Sequence, residues 1–202
     1  LVEEFGRVID AAVLFGTNAP TDWPDDVRTA AVAASNSLAL GGGGVDLYDD
    51  ILGASGIVSL VEADGYMVNG YIGALSMRGR LRGIRSSDGI PIFTGSMQGA
   101  NSYMLDGSPI YFPRNGGFDT SATYMFAGDW SQLVYSMRQD MSYKLLTEAV
   151  ITDAGGNIVY NLAQQDMVAL RAVMRIAWQC PNPINRIQST EASRYPVAVL
   201  TT

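Results

Sequence analysis

Residues 168–178 alternate without a break: Val168, Leu170, Ala172, Met174, Ile176 and Trp178 fall on one side, Ala169, Arg171, Val173, Arg175 and Ala177 on the other. A repeat of two is the geometry of a β-strand and of no helix, so a chain carrying it must build a sheet. The even row is wholly apolar and is expected to face a core. The two arginines belong to the opposite face.

The amino-terminal pattern has a different period. Leu1, Phe5, Val8, Ile9, Ala12, Val13 and Phe15 recur at helical spacing, predicting a helix over residues 1–15 that stops at Gly16, a residue suited to a left-handed cap. A second helix is predicted over residues 24–40. Pro24 fits a first turn, Asp25 and Asp26 fit the positive end of the dipole, and an alanine-rich run follows. Beyond the glycines at 41–44, a third helix is expected over residues 45–62, interrupted near 53–56. The elements then shorten: a strand at 67–73, an exposed helix at 74–84, a turn at 87–89, a strand at 90–93, and loops with short strands over 94–128. Strands are predicted at 123–127, 133–138 and 141–146, with Gln139 and Asp140 turning the last two into a hairpin. Asn161 is placed to cap a helical turn over 162–165. A turn at 181–183 and a final strand at 195–200 complete the chain. Helices and strands do not alternate as βαβ units, so the predicted fold class is α+β.

Composition removes several kinds of function. The 202 residues are 48% hydrophobic and 16% charged, which is not the make-up of a disordered chain. No window of about 18 residues is free of charged or turn residues, as a membrane-spanning helix requires. Cys180 is the single cysteine and closes no internal disulfide. Histidine is absent, which removes histidine triads, ligands and proton shuttles together. The net charge of −7 is poorly matched to duplex nucleic acid, where a basic face supplies most of the affinity. The sequence opens at Leu1 inside a helical pattern, so it is expected to be a piece of a longer product.

The motifs that suggest chemistry each meet a simpler reading. The glycines at 41–44 are not followed by the Gly-Lys-Ser/Thr of a phosphate loop and read as a connector between helices. Asp46, Asp49 and Asp50 lack calcium-loop spacing, and Asp46 and Asp50 repel at i and i+4; they read as a solvent-facing cluster at a helix start. Arg78, Arg80, Arg82 and Arg85 form the one basic run and read as a solvated face or a subunit contact rather than a nucleic-acid site. Cys180 has no basic neighbour in sequence to activate a thiolate. No catalytic, cofactor-binding or metal-binding residue is nominated, and carboxylate pairs are left open because their spacing is spatial.

Several segments nevertheless resemble one family. Gly128-Asp129-Trp130-Ser131-Gln132, the 138–142 segment and the run NLAQQDMVALRAVMR from Asn161 to Arg175 are similar to the "GD(F/W)SQ", hairpin, "NLFQQNQ" and "VALRAEMR" segments of the tailed-bacteriophage major capsid proteins. Upstream, DAAVLFG from Asp10 to Gly16 resembles the end of that family's spine helix. VDLY at 45–48 and SSDGIP at 86–91 are weaker matches in the same order. The resemblance implies a peripheral domain from residues 1–16 and 123–180, and an axial domain from 17–122 completed by a return strand in 181–202. It also implies a structural subunit, not an enzyme, whose pentamers and hexamers form an icosahedral head. That head encloses DNA without reading its sequence and without a membrane, in the virion after assembly in the host cytoplasm. The N-terminal arm and extended loop of the family would lie outside these residues. Some members cross-link covalently through a strand glutamate and an asparagine. Asp166 and Val173 stand at the aligned positions here, so that chemistry is not carried over. An encapsulin-type shell around a protein cargo shares the fold and stays open as an alternative; a carboxylate-based enzyme is the distant one.

Overall fold

The computed structural model describes residues 2–44, 46–85, 88, 90 and 103–202. In chain order the helices are α1 (Val2–Phe15), α2 (Val27–Ala33), α3 (Leu47–Leu52), α4 (Ile57–Ala63) and α5 (Met77–Gly83). The strands are β1 (Ser37–Ala39), β2 (Gly70–Gly73), β3 (Met104–Leu105), β4 (Ser108–Tyr111), β5 (Thr123–Gly128), β6 (Val134–Leu146), β7 (Val150–Thr152), β8 (Ile158–Asn161), β9 (Ala169–Gln179) and β10 (Val197–Thr201). They form two compact units, one of Leu1–Val134 with Gln179–Thr202 and one of Tyr135–Trp178.

The larger unit is organised by a six-stranded sheet in the order β1-β10-β5-β2-β4-β3. The central strand β10 lies parallel to β1 and antiparallel to β5. Its sequence is apolar at successive positions, Val197-Ala198-Val199-Leu200, and all four are buried. Such a strand requires cover on both faces, and helices supply it. Met125, Ala127, Ala198 and Leu200 join Ile57, Val61, Met77 and Leu81 in one core on the side of α4 and α5. The alternate residue Phe126 points to the opposite face, where its ring meets Phe15 of α1 at 5.6 Å and Phe118 at 5.9 Å. Phe15 and Phe118 also meet edge to face at 5.2 Å, closing a triad of rings. On that side α2 packs along β10.

The first helix ends as its sequence predicts: Gly16 has φ +68, and its N–H reaches the carbonyl of Ala12 at 3.0 Å. The second is shorter than 24–40. Asp26 is its cap, accepting from the Thr29 N–H at 2.9 Å, so Pro24 lies outside it. It stops at Ala33 because Ser35 turns to φ 67 and residues 37–39 pair with β10. Long-range pairing here overrides the helix preference of alanine. The expected break at 53–56 divides the third helix into α3 and α4. The strand expected at 67–73 is confined to Gly70–Gly73, and the arginine-bearing helix to Met77–Gly83, where Met77 and Leu81 are fully buried. Of the turn expected at 87–89 only Asp88 is described, and it lies in a turn; of the strand expected at 90–93 only Ile90 is described, and the rest lies outside the described residues. The strand expected at 123–127 is β5, and it pairs on both sides, with β10 and with β2.

The smaller unit holds two two-stranded sheets, β6 with β9 and β7 with β8. No hairpin forms at Gln139 and Asp140. Residues 134–146 are one continuous strand, because β9 is long enough to pair past the polar pair and the chain has no need to reverse. Asn161 ends β8 and opens a single turn, in which the Gln165 N–H bonds the Asn161 carbonyl at 3.0 Å and the Gln165 side chain accepts from the Asn161 N–H at 3.2 Å.

The alternating segment is a strand, as its period dictates, but its apolar row is not a core. Only Trp178 is buried, at 6% exposure, whereas Leu170 is 53% exposed. Trp178→Ala is therefore expected to cost about 3–5 kcal/mol, the range for emptying a buried aromatic site. Leu170→Ala and Arg171→Ala should each cost under about 1 kcal/mol. Equal shifts of the denaturant midpoint for all three would contradict this gradient along β9.

Candidate functional site

Three segments distant in sequence meet at one buried carboxylate in the larger unit. Asp64, just past α4, is 4% exposed. One of its oxygens accepts from the Asn36 side-chain amide at 2.6 Å and from the Tyr195 N–H at 2.9 Å. Asn36 donates also to the Tyr195 carbonyl at 2.9 Å. The entries to β1 and β10 are thus tied to the end of α4, and this fixes how the central strands start. The Asp64 carbonyl in turn receives the Asn185 amide at 2.7 Å.

Beside it, Arg194 is buried at 1% exposure. Its Nε donates to Asn182 Oδ1 at 2.7 Å, and its terminal nitrogens donate to the Gln188 carbonyl at 2.7 Å and the Asn182 carbonyl at 2.9 Å. Backbone dipoles satisfy the guanidinium where an ion pair would otherwise be needed. The loop before β10 is therefore held by its own cation.

Cys180 lies on the same loop. Burial pushes its thiol up to about 11, partly offset by the Tyr195 hydroxyl that bonds it. A nucleophilic cysteine needs the reverse shift. Burial likewise raises the Tyr195 hydroxyl well above its usual range. The neutral thiol is the form the fold favours, so the stability it contributes is full below about pH 9 and falls as pH rises through about 11. Alkylation of Cys180 by iodoacetamide in the folded chain should be slow at neutral pH and accelerate only well above pH 9. Rapid labelling at neutral pH would contradict the half-buried, neutral thiol.

The acidic run is not a uniformly exposed cluster. Asp46 caps α3, accepting from the Tyr48 N–H at 2.8 Å. Asp50 is 1% exposed and accepts from the N–H groups of Gly41 at 2.7 Å and Gly43 at 2.8 Å. The glycine loop wraps this carboxylate because its N–H groups approach closely. A Cβ on Gly43 would lie 2.8 Å from the Asp50 backbone. The same N–H groups that a phosphate loop offers an anion are here already occupied by the protein's own.

The arginine run behaves as a surface with aromatic supports. Arg78 stacks on the Tyr103 ring at 4.5 Å and Arg80 on the Tyr124 ring at 4.8 Å. Arg82 and Arg85 donate to carbonyls of their own helix and its end. Among the described residues the one ion pair is Arg7 with Glu4 on α1. Among them also, no group of three or more His, Cys, Asp or Glu side chains is disposed to hold a metal, and no helix is long and apolar enough to cross a membrane. Asp166, at φ 50, is exposed on the turn before β9, and Val173 lies within that strand.

The smaller unit exposes many apolar side chains. Tyr135, Met137, Tyr143 and Leu145 of β6 and Leu170 of β9 are exposed, as are Val150 and Ile151 of β7 and Ile158, Val159 and Tyr160 of β8. The β7–β8 hairpin is absent from the sequence-based expectations, although its signal is present. Asp153, Gly155, Gly156 and Asn157 form a turn between two apolar runs. The Asp153 carboxylate accepts from the Asn157 side chain and from the N–H groups of Asn157 and Gly155, which hold its carboxyl below the usual range.

Known proteins place this geometry. The pattern of the phage capsid family matches residues 1–184. The major capsid protein of Staphylococcus phage 80alpha is 31% identical over 122 residues, which are 59% of this chain and 36% of that protein. A chain from a solved structure of Microbacterium phage Oxtober96 superposes with a TM-score of 0.79 at 38% identity, covering 98% of this chain and 62% of that one. A chain from Mycobacterium phage Cain superposes with a TM-score of 0.76 at 30% identity, covering 98% of this chain and 61% of that one.

Proposed function

This chain belongs to the phage capsid family, and from that premise we propose that it is part of a structural subunit that assembles with copies of itself into the icosahedral head of a phage or prophage, around viral DNA. Its α+β architecture is the one found in those phage structures. The observation that supports a shell role most directly is the apolar surface of Tyr135–Trp178. Two-stranded sheets with one face in water are marginal by themselves, and contiguous exposed apolar area marks an association surface. In the assembled head this unit forms the peripheral strands, with residues 1–16 as the end of the spine helix. The six-stranded sheet, drawn from 17–122 and the return strand in 181–202 and joined through β5, forms the axial domain. The Thr123–Gly128 strand thus serves the axial side, since its partners on both edges belong there. The role is mechanical: Asp46 is spent on capping, and Asp50 with the N–H groups of Gly41 and Gly43 on loop closure. No observation favours a protein-cargo compartment or a carboxylate enzyme over this reading.

Light scattering after size exclusion over a range of concentrations tests it. Mass should rise above the 21.6 kDa of one chain as concentration increases. A chain that stays monomeric throughout would contradict the role.

A further inference from the structure

We propose that the α5 arginine face of one copy docks head to tail on the acidic approach to α2 of the next copy; this rests on the shell reading and names the partner surface within it. The two patches occupy opposite corners of the central sheet. Helix α5 follows β2, with Arg78 over Tyr103 beside the edge strand β3 and Arg80 over Tyr124 at the start of β5. Arg78 and Arg114 line one cleft there with Ile110 and Phe112. The acidic patch, Asp22 and Asp25, precedes α2, which packs along β10 next to the other edge strand, β1. Asp25 also lies near enough to act electrostatically on Tyr195, at the end of β10 where Gly128 closes β5. The patches are therefore separated both across the strand order and along the strands, and one chain cannot bring them together.

The arginines are held but not neutralised. None of Arg78, Arg80, Arg82 and Arg114 forms an ion pair among the described residues, and the remaining residues contain no Asp or Glu to supply one. The Nε of Arg78 is buried without an acceptor among the described residues. Stacking on tyrosine fixes the guanidiniums and limits the entropy lost when a carboxylate arrives. A net charge of −7 makes carboxylates abundant on every neighbouring copy. A contact between two different patches of one protein is heterologous, and it closes into a ring when its rotation permits. Packaged nucleic acid is the competing occupant of the arginines, but it leaves the acidic patch without a role.

Charge reversal with complementation tests the contact in the chain as it stands. Arg80→Glu with Arg82→Glu makes both patches acidic; Asp22→Arg with Asp25→Arg makes both basic. All four side chains are exposed, and circular dichroism and denaturant midpoints should match the parent. Sedimentation should show self-association of each variant weakened by at least about tenfold, with equal parts of the two restoring it. Parent association through this contact should weaken with added salt. Parent-like association of either variant, or no recovery on mixing, would overturn the docking while leaving the shell reading intact. A monomeric parent would overturn both. Fluorescence anisotropy with a labelled oligonucleotide gives the other outcome. Loss of binding in the arginine variant, with self-association unchanged, would assign the arginines to nucleic acid and refute the docking.

Discussion

Phe126→Ala should be among the most destabilising substitutions in the chain, at about 3–5 kcal/mol. The ring is fully buried at the middle of β5, and it holds α1 to the sheet through edge-to-face contacts with Phe15 and Phe118. Truncation removes its transfer free energy and opens a cavity that neighbours on a fixed strand cannot fill. It also forfeits two ring contacts worth about 0.5–1.5 kcal/mol each beyond burial. Phe126→Leu keeps most of the volume and should lose roughly half as much. Denaturation followed by far-ultraviolet circular dichroism checks the series. A loss under about 1 kcal/mol for the alanine variant would mean that α1 is not secured by this cluster.

Asp64→Ala should rival it through polar groups alone. The substitution removes the acceptor of the Tyr195 N–H and of one N–H of the Asn36 amide, whose other bond, to the Tyr195 carbonyl, remains. Each unsatisfied buried group costs about 1–3 kcal/mol, so a loss of about 3–5 kcal/mol is expected. Asp64→Asn retains an acceptor oxygen in the same place and should cost less than half of that. Equal losses for the two would show that the charge, not the acceptor geometry, is what the fold requires.

What the sequence disclosed and what it concealed follow from the range of the interactions. Gly16 was legible because a left-handed cap is local chemistry, whereas Asp26, expected inside a first turn begun by Pro24, is the N-cap of a helix that starts at Val27. The period of residues 168–178 revealed a strand, because alternation is a property of the backbone. It did not reveal burial, because burial depends on what lies opposite, and here Trp178 alone of the row is buried while Ala172, Met174 and Ile176 are half-buried. Gln139 and Asp140 carried a turn signal that pairing with β9 cancelled. The Asp64 junction was invisible: its partners lie 28 and 131 residues away, and no spacing rule joins such positions. Asp50 was misread for the same reason, since the glycine N–H groups that bind it come from the preceding loop and not from its own helix. Family resemblance reached the phage capsid family where single motifs did not, because it compares the order of many weak segments at once.

On the proposed shell role, the Tyr135–Trp178 unit is completed by other copies, while the six-stranded sheet forms within one chain. Hydrogen exchange measured across a concentration series, with mass followed in parallel, addresses it directly. In the dilute chain, amides of β6 and β9 should exchange by local opening, while those of β5 and β10 exchange only by global unfolding. As mass rises, protection should appear in β6 and β9 in step with it and leave β5 and β10 unchanged. Full protection of β6 and β9 in the monomer, or growth in mass with those strands still open, would contradict the account.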